Sequence, residues 1–219
     1  MSFTNPSGPV KRRYASAHRA AQSRATHRAI VGAAAELFAA HGYVATSFDA
    51  IAAAAGVGRA TVFAHFTTKA ELLKTAYDVT LVGDDEPIAL PQRPESLAVR
   101  AERDPRRFLS GYAAIATGVA RRVSPIYEAI RAAAHADPEA TAVWRQIGAE
   151  RRVGGGNIVA SIVDRAGLRP DADPERAADL VYALVDPGLY HLLVRERGWP
   201  HDVFTDWLAA SLQRELLGD

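Results

Sequence analysis

The stretch TSFDAIAAAAGVGRATVFAHFTTKAELLKTAY, residues 46–77, decides the fold of the first third of the chain. Its apolar residues recur at helical spacing in three runs, and glycine, serine or threonine stands at the junctions between them. Ser47 and Thr68 are candidate N-caps, and Gly56 is placed to end the first run. The stretch therefore predicts two short helices joined by a tight turn at Gly56, followed by a longer helix that begins near Lys69.

A longer amphipathic run precedes this stretch. From about Arg24 to His41, the apolar residues Ile30, Leu37 and Phe38 fall on one face of a helix. Gly42 then stands where a C-cap glycine is expected. Together these patterns predict a compact three-helix unit plus a connecting helix, which we place at residues 24–82.

Two short helices joined by a tight turn are the plan of a helix-turn-helix, whose second helix enters the DNA major groove. The spacing alone also fits any small helical domain, so the charge distribution matters. Residues 1–75 carry nine Lys and Arg against three Asp and Glu, whereas residues 76–219 carry 17 against 22, within a total of +1. The excess of positive charge at one end favours a polyanionic partner for that end.

Residues 1–23 combine Pro, Gly and Ser with basic residues, which predicts a flexible basic arm. Two interpretations stay open for this arm: a solvated tail, or a segment that follows the DNA backbone or minor groove. The six basic residues between Lys11 and Arg28 equal the whole positive excess of the first 75 residues. If the arm is only a tail, DNA binding depends on the placement of a few groups.

Composition excludes several classes of protein. The chain has no cysteine, so it has no disulfide framework and no thiolate metal site, and we expect no cofactor. Its 44 alanines among 219 residues favour an all-α fold. It contains neither a run of about 18 apolar residues nor a signal peptide, so we expect a cytoplasmic protein with no membrane partner.

Helical signals continue through residues 83–219, which we predict to form a second helical domain after a polar linker that extends to Pro94. Helices are expected to start at Asp104-Pro105, Ser124-Pro125, Asp137-Pro138 and Asp173-Pro174, each an N-cap and N1 pair, and a last helix covers Val203 to Leu216.

Two features of this half interrupt the helical pattern. Gly154-Gly155-Gly156 lies inside a long predicted helix, so either the helix breaks there or a neighbouring helix or a ligand approaches its backbone closely. Pro187-Gly188 predicts a kink in the penultimate helix.

The N-terminal pattern resembles the DNA-binding domain of the TetR family of bacterial repressors over about 50 residues without a gap. The residues that carry the resemblance are Ala29-Ile30, Ala35-Glu36-Leu37-Phe38, His41-Gly42-Tyr43, Thr46-Ser47-Phe48, Ile51-Ala52, Ala55-Gly56-Val57, Thr61-Val62-Phe63, His65-Phe66, Lys69 and Leu72-Leu73. The resemblance implies a dimer that binds a palindromic DNA operator and is released by a small, largely apolar effector. It also implies that residues 83–219 bind the effector and form a homodimer through the last two helices, about residues 174–217.

Candidate DNA contacts fall into two groups. Hydroxyl and ammonium groups near helix starts are expected to contact phosphates, and the exposed side of the second short helix is expected to read bases. The resemblance implies a phosphate contact for His65 as well, with its neighbour Phe66 as the core residue. The phosphate candidates are Thr46, Ser47, His65 and Lys69, and the base-reading candidates are Arg59, Ala60, Thr61 and Phe63. Gly58, at the start of the recognition helix, is a further candidate DNA contact, and a phosphate contact stays open as the alternative for Arg59. Lys69 is notable because a cation at a helix N-terminus is unfavourable unless an anion lies beside it. Phe63 stands where the family often has tyrosine and lacks a phenolic donor.

Candidate effector contacts are aromatic or imidazole side chains with a polar tip: Tyr112, Tyr127, His135, Trp144 and Tyr182. Such residues are more often plain core, and both interpretations stay open. Two other functions are also considered: an architectural DNA-binding protein without an effector, and a helical enzyme or small-molecule binder. We expect no enzyme, because the chain has no H-E-x-x-H, G-x-S-x-G or Walker motif.

Overall fold

The computed structural model describes residues 9–83, 86 and 88–218, with side chains from residue 18 onward. Within these residues the chain forms helices and no β-strand, as the all-α prediction requires. The helices are α1 (Pro9–Ala45), α2 (Phe48–Ala55), α3 (Arg59–His65), α4 (Lys69–Val82), α5 (Pro94–Ala101), α6 (Pro105–Ala133), α7 (Pro138–Arg165), α8 (Pro174–Leu184), α9 (Pro187–Tyr190), which continues as a π-helical segment (His191–Glu196), and α10 (His201–Leu217). A single 3-10 turn, Leu90–Gln92, precedes α5.

Helix α1 is longer than the sequence predicts. It begins at Pro9 rather than near Arg24, so residues 9–23 of the predicted flexible arm are helical, and residues 1–8 lie outside the described residues. The run ASAHRAAQSRATHRA is rich in alanine, the best helix former, which explains why the helix extends backwards. Its regular geometry is interrupted at Gly42, where φ is 78° and ψ is 170°.

The predicted caps of the short helices are confirmed. The Ser47 side chain accepts a hydrogen bond from the Ala50 N–H, and Gly56 adopts the left-handed conformation with φ 67° and ψ 31°. The Thr68 hydroxyl accepts from the Glu71 N–H at 3.1 Å. Glu71 in turn accepts from the N–H of Thr67 at 2.9 Å, one residue earlier than in a standard capping box.

In the second half, three of the four predicted helix starts are confirmed, with Asp104, Asp137 and Asp173 each capping a helix that has proline in its first turn. Ser124-Pro125 is a correction, because α6 runs through it without a break. Helix α5 is an addition, because it lies where the sequence predicts linker and irregular chain.

Long-range contacts explain how α6 tolerates Pro125. A proline leaves the carbonyl four residues earlier without its helical donor. That carbonyl, on Arg121, accepts a hydrogen bond from Arg195 Nη2 at 2.9 Å, and Arg195 Nε donates to Ser124 Oγ at 3.1 Å. The π-helical segment thus supplies the donor that the proline removes.

The glycine triplet does not break α7. Instead, α8 packs closely against α7 at Gly155, as the second alternative anticipates. The predicted kink at Pro187 is confirmed. Helix α8 ends at Leu184, Asp186 caps α9, and the two helical stretches are bent by 41°.

Two hydrophobic cores hold the helices together. The second core joins α6, α7, α8 and α10 around residues such as Leu109, Ile162, Val181 and Leu212. The first core contains the buried residues of α1 to α4 and also Val123, Ile126, Tyr127, Ile130, Ala133, Ala140, Val143 and Ile147 of α6 and α7. Packing is therefore continuous across the predicted domain boundary at 82/83.

Candidate nucleic-acid interface and effector cavity

Helices α2 and α3 form a helix-turn-helix around Gly56. After Gly56 the N–H of Val57 donates back to the Ala52 carbonyl at 3.0 Å, which closes the turn. Gly58 then starts α3 with an extended backbone and no side-chain cap. Val62 and Phe66 are buried and hold the inner side of α3 against the core.

The opposite side of α3 is a continuous exposed surface. Arg59, Ala60 and Phe63 are exposed, and Thr61 is half-buried. Phe63 is 46% exposed and meets Phe48 of α2 edge to face, with 4.7 Å between ring centroids. This exposed aromatic side chain lies among the residues predicted to read bases.

Arg59 has a specific partner in the free protein. Its Nη1 lies 2.7 Å from Asp49 Oδ2, in the first turn of α2. Its guanidinium carbon also lies 5.4 Å from the centre of the Phe63 ring. Asp49 is therefore part of the candidate recognition surface.

Ser47 and His65 remain available to a phosphate by position. Ser47 is exposed at the N-terminus of α2, where its oxygen caps the helix. His65 is half-buried at the end of α3, and its ring meets that of His27 at a centroid distance of 5.8 Å. The prediction that Phe66 rather than His65 is the core residue is confirmed, since Phe66 is 3% exposed.

Thr46 does not fit the predicted phosphate role of its hydroxyl. The residue is 2% exposed, and its Oγ1 donates to the carbonyl of Gly42 at 2.8 Å and approaches that of Leu37 at 3.2 Å. These carbonyls lie near the end of α1 and need donors. Thr46 is therefore a capping residue of α1.

Lys69 also binds backbone carbonyls that could not be predicted from the sequence. Its Nζ donates to the carbonyls of Tyr43 at 2.9 Å and Thr46 at 3.2 Å, and lies 4.1 Å from the centre of the Tyr43 ring. Burial lowers the pKa of this ammonium group. The carbonyls at the end of α1 are therefore one set of partners for the cation at the start of α4, and the phosphate contact of Lys69 stays a prediction.

A cavity in the second half is lined by several helices. It has a volume of about 270 Å³ and lies between the 3-10 turn, α5, α6 and α7. Its walls are mainly apolar and comprise Leu90, Pro91, Ser96, Val99, Arg100, Phe108, Tyr112, Ile115, Gly154, Asn157, Ile158 and Ser161. Burial raises the pKa of the Tyr112 phenol to about 12, consistent with a mostly apolar surrounding.

Of the five candidate effector residues, only Tyr112 lines this cavity. His135 is exposed at the turn between α6 and α7, beside a shallow surface depression. Trp144 packs against the Tyr127 ring, with centroids 4.8 Å apart. Tyr127 and Tyr182 belong to a polar network, so neither faces the cavity.

Arg151 is the centre of that network. Its Nη1 lies 2.7 Å from Asp186 Oδ2 and 2.9 Å from the Tyr127 hydroxyl, and its Nη2 donates to the Tyr182 carbonyl at 2.8 Å. The Tyr127 hydroxyl also donates to Asp186 at 2.9 Å. Burial raises the pKa of Tyr127, which keeps the phenol neutral as a donor. Charges and aromatic residues so far apart in the chain give no local sequence signal.

A wider, open groove of about 730 Å³ lies between α1, α4 and the segment after α4, beside His27 and His65. It is open to solvent and borders the helix-turn-helix. The smaller cavity, lined by three helices and a turn, is less open to solvent.

Within the described residues, no cluster of three metal-ligating side chains is present. No single helix there is long and apolar enough to span a membrane, although the bent pair α8 and α9 with its π-helical extension reaches that length and composition together.

Two family models match the sequence. Residues 30–76 match the bacterial regulatory proteins of the tetR family, and residues 100–211 match the tetracyclin repressor-like C-terminal domain. The chain belongs to the TetR family. It is therefore a transcriptional regulator with an N-terminal helix-turn-helix and a C-terminal helical domain.

Solved structures of transcriptional regulators share the fold. NalD, the secondary repressor of the MexAB-OprM multidrug efflux pump in Pseudomonas aeruginosa, is 25% identical with a TM-score of 0.64, over 90% of this chain and 99% of NalD. FadR from Bacillus subtilis, in complex with stearoyl-CoA, is 15% identical with a TM-score of 0.66, over 88% and 99%. A protein from Saccharomonospora viridis in complex with choline is 19% identical with a TM-score of 0.65, over 86% and 96%. No curated protein sequence matches the chain.

Proposed function

We propose that this TetR-family regulator is a cytoplasmic repressor that binds a palindromic DNA operator as a homodimer and is released by a small, largely apolar effector. The observation that carries the DNA-binding part is the exposed surface of α3, where Arg59, Ala60 and Phe63 face solvent beside the turn at Gly56. A helix held in this way from its inner side can enter the major groove with its outer side towards base edges.

Among these residues we assign base readout first to Arg59. Its guanidinium can donate two parallel hydrogen bonds to guanine O6 and N7. Ala60, Thr61 and Phe63 offer methyl and aromatic surface to thymine methyl groups. Gly58, Ser47 and His65 flank this surface and are proposed to contact the phosphate backbone.

The proposed dimer uses the last two helical stretches. Leu180 of α8, Leu192 of the π-helical segment and Val203 of α10 are apolar yet 40%, 42% and 48% exposed. A second copy of the chain would cover these side chains and place two α3 helices on successive turns of the DNA. Light scattering at micromolar concentration tests this part, and a monomeric mass would contradict it.

The proposed effector enters the cavity beside Tyr112. Its volume of about 270 Å³ lies just below the range of about 300–1,000 Å³ typical of ligand pockets. A compact apolar molecule therefore fits better than a long chain. The similar structures in complex with stearoyl-CoA and choline show that ligands of different chemistry are compatible with this fold. The class of effector is therefore inferred from the size and lining of the cavity, not from the fold.

A path connects this cavity to the DNA-binding helices. Helix α7 forms one wall, and its Glu150 pairs with Lys74 of α4 at 3.1 Å. Tyr77 of α4 lies against Tyr127, with ring centroids 6.4 Å apart. An effector that displaces α7 would therefore move α4, and Lys69 at the start of α4 is bonded to the chain that leads into α2. In this proposal α4 has one position without the effector and another with it, and the effector must bind the second state more tightly than the first.

The test is selection of duplexes from a random DNA library by the purified protein, followed by affinity measurement on single-base variants of the selected duplex. Arg59→Ala is expected to lower affinity about tenfold and to remove the preference at one base pair in each half-site. Arg152→Ala is the matched control, because Arg152 of α7 is similarly exposed and pairs with Asp179 of α8 at the same 2.7 Å.

Three outcomes are informative. A palindromic selected sequence supports the proposal. If Arg59→Ala loses affinity by the same factor for all single-base variants of the duplex, Arg59 does not read a base. Equal binding of selected and scrambled duplexes would instead favour the architectural alternative, since a repressor should bind its operator about 10³-fold or more tightly than random DNA.

A further inference from the structure

The ion pair between Asp49 and Arg59 is the feature that the proposed function does not use. Asp49 Oδ2 and Arg59 Nη1 are 2.7 Å apart, yet the two side chains are 62% and 60% exposed. An ion pair this exposed contributes little to the stability of a fold. It also places a carboxylate on the surface that is proposed to approach a polyanion, which opposes binding to any DNA. A feature with little benefit for stability and a cost for affinity needs another explanation.

The contacts around Arg59 supply one. Asp49 holds one terminal nitrogen of the guanidinium, and the Phe63 ring lies 5.4 Å from its carbon. Phe63 is itself held edge to face by Phe48 at 4.7 Å. A free arginine side chain has many rotamers, whereas this one is restrained from two sides before any DNA arrives.

The restraint leaves most of the hydrogen-bonding capacity of Arg59 unused. A guanidinium has five N–H donors, and one of them is directed to Asp49. Two of the remaining donors are enough for a bidentate pair with a guanine. A group that is fixed in advance loses less entropy on forming that pair, and it is less free to move to a phosphate or to a different base.

We propose that Asp49 is a positioning residue that directs Arg59 to base edges, raising sequence discrimination while lowering affinity for DNA in general. This inference rests on the proposed DNA-binding function and adds to it a residue of α2 that contacts no base. It also accounts for both properties of the ion pair. The carboxylate weakens binding to the phosphate backbone of every sequence, and the oriented guanidinium recovers affinity only where its guanine is present.

The experiment compares Asp49→Ala with the wild-type chain on three duplexes: the sequence selected by the wild-type protein, its variant at the base pair read by Arg59, and a scrambled duplex. We expect Asp49→Ala to bind the scrambled duplex more tightly and to lose about tenfold in the affinity ratio between the first two duplexes. Glu36→Ala is the matched control, because Glu36 is an exposed acid of α1 in the same domain and lies away from Arg59 in the sequence. It should change the affinity for all three duplexes by one common factor.

A second comparison isolates the route through Arg59. In an Arg59→Ala background, Asp49→Ala should leave the affinity ratio unchanged, because the group that it positions is gone. Thermal unfolding followed by circular dichroism checks that each variant is folded. Because Asp49 is exposed, we expect its replacement to leave the fold intact.

The outcomes separate this inference from the function on which it rests. If Asp49→Ala raises affinity for all three duplexes by one factor, as expected for Glu36→Ala, the positioning role is overturned and the regulator function stands. A change in the ratio that persists in the Arg59→Ala background overturns it too. If the wild-type protein selects no sequence, the proposed function and this inference both fail.

Discussion

Gly155 of α7 and Ala178 of α8 approach so closely that a Cβ placed on Gly155 would lie 3.0 Å from the Ala178 carbonyl oxygen. The same Cβ would lie 3.5 Å from the backbone nitrogen of Tyr182. Backbone atoms of a helix cannot move aside alone, so this contact sets the distance between α7 and α8.

We therefore expect Gly155→Ala to destabilise the protein by about 1–3 kcal/mol, the usual cost of overfilling a packed site. Gly156→Ala, one residue later, should instead stabilise it by up to about 1 kcal/mol, because its Cβ would meet nothing within 4 Å and alanine favours the helix. Urea unfolding of the two variants measures both. If the two substitutions change the free energy of unfolding equally, the contact between Gly155 and Ala178 does not set the distance between α7 and α8.

The Arg151 and Asp186 pair offers a second prediction, on stability. Arg151 is 11% exposed, and Asp186→Ala removes its carboxylate partner while also removing the cap of α9. Loss of one partner of a buried pair should cost about 3 kcal/mol or more. Chemical denaturation gives the value.

The neighbouring residue Arg152 provides the control for this prediction. It pairs with Asp179 at the same 2.7 Å, but the two side chains are 63% and 53% exposed. Arg152→Ala should therefore change the free energy of unfolding by less than about 1 kcal/mol. If both substitutions cost the same, burial does not decide the strength of these pairs.

Arg195 and Pro125 should be coupled energetically. Arg195→Ala leaves the Arg121 carbonyl without the donor that compensates for the proline, at a cost of about 1–3 kcal/mol. In a Pro125→Ala background the helix supplies its own donor to that carbonyl, so the same substitution should cost clearly less. A double-mutant cycle from denaturant unfolding measures the difference. Additive effects would mean that the two residues act independently.

Alkaline pH should destabilise the fold through buried tyrosines. Burial raises the pKa of Tyr43 to about 12, whereas the phenol ionises near 10 in the unfolded chain. The folded state then holds a proton that the unfolded state has lost, so stability is complete below pH 10 and declines as the pH rises towards 12. Tyr43→Phe should reduce the decline between these values, as followed by urea unfolding at several pH values. An unchanged decline would assign it to other groups.

Filling the cavity should abolish binding of a small apolar probe. Gly154 lines the cavity, and a Cβ there would meet no atom within 4 Å, so Gly154→Leu can place its side chain in the empty volume. We expect the fluorescence enhancement of N-phenyl-1-naphthylamine with the wild-type protein to be lost in this variant. Gly156→Leu, which is on the same helix but outside the cavity, should retain it. Retention in both variants would place the probe elsewhere.

The elements that sequence analysis predicts correctly are those with a local cause. Ser47, Gly56 and the aspartates before Pro105, Pro138 and Pro174 act on atoms within a few residues of themselves. Their effect can therefore be recognised from the sequence alone.

The errors have long-range causes. The continuity of α6 depends on Arg195, which is 70 residues after Pro125 in the chain, and the environment of Tyr127 depends on Arg151 and Asp186. The contacts of Thr46 and Lys69 with backbone carbonyls near the end of α1 could not be predicted either, because no sequence pattern marks such acceptors. Helix α5 starts at Pro94, after Arg93, which makes no side-chain cap, so the aspartate signal that precedes α6, α7 and α8 is absent there.

The continuous first core has a consequence for protein engineering. Regulators with two such domains can be engineered by domain exchange, in which the DNA-reading segment of one protein is joined to the ligand-sensing segment of another. Here a junction after Val82 would separate Leu72, Leu73 and Tyr77 of α4 from Ile126, Tyr127 and Ile130 of α6. A working chimera would have to carry the contacting faces of α6 and α7 along with the helix-turn-helix, so the transferable unit is discontinuous in the chain.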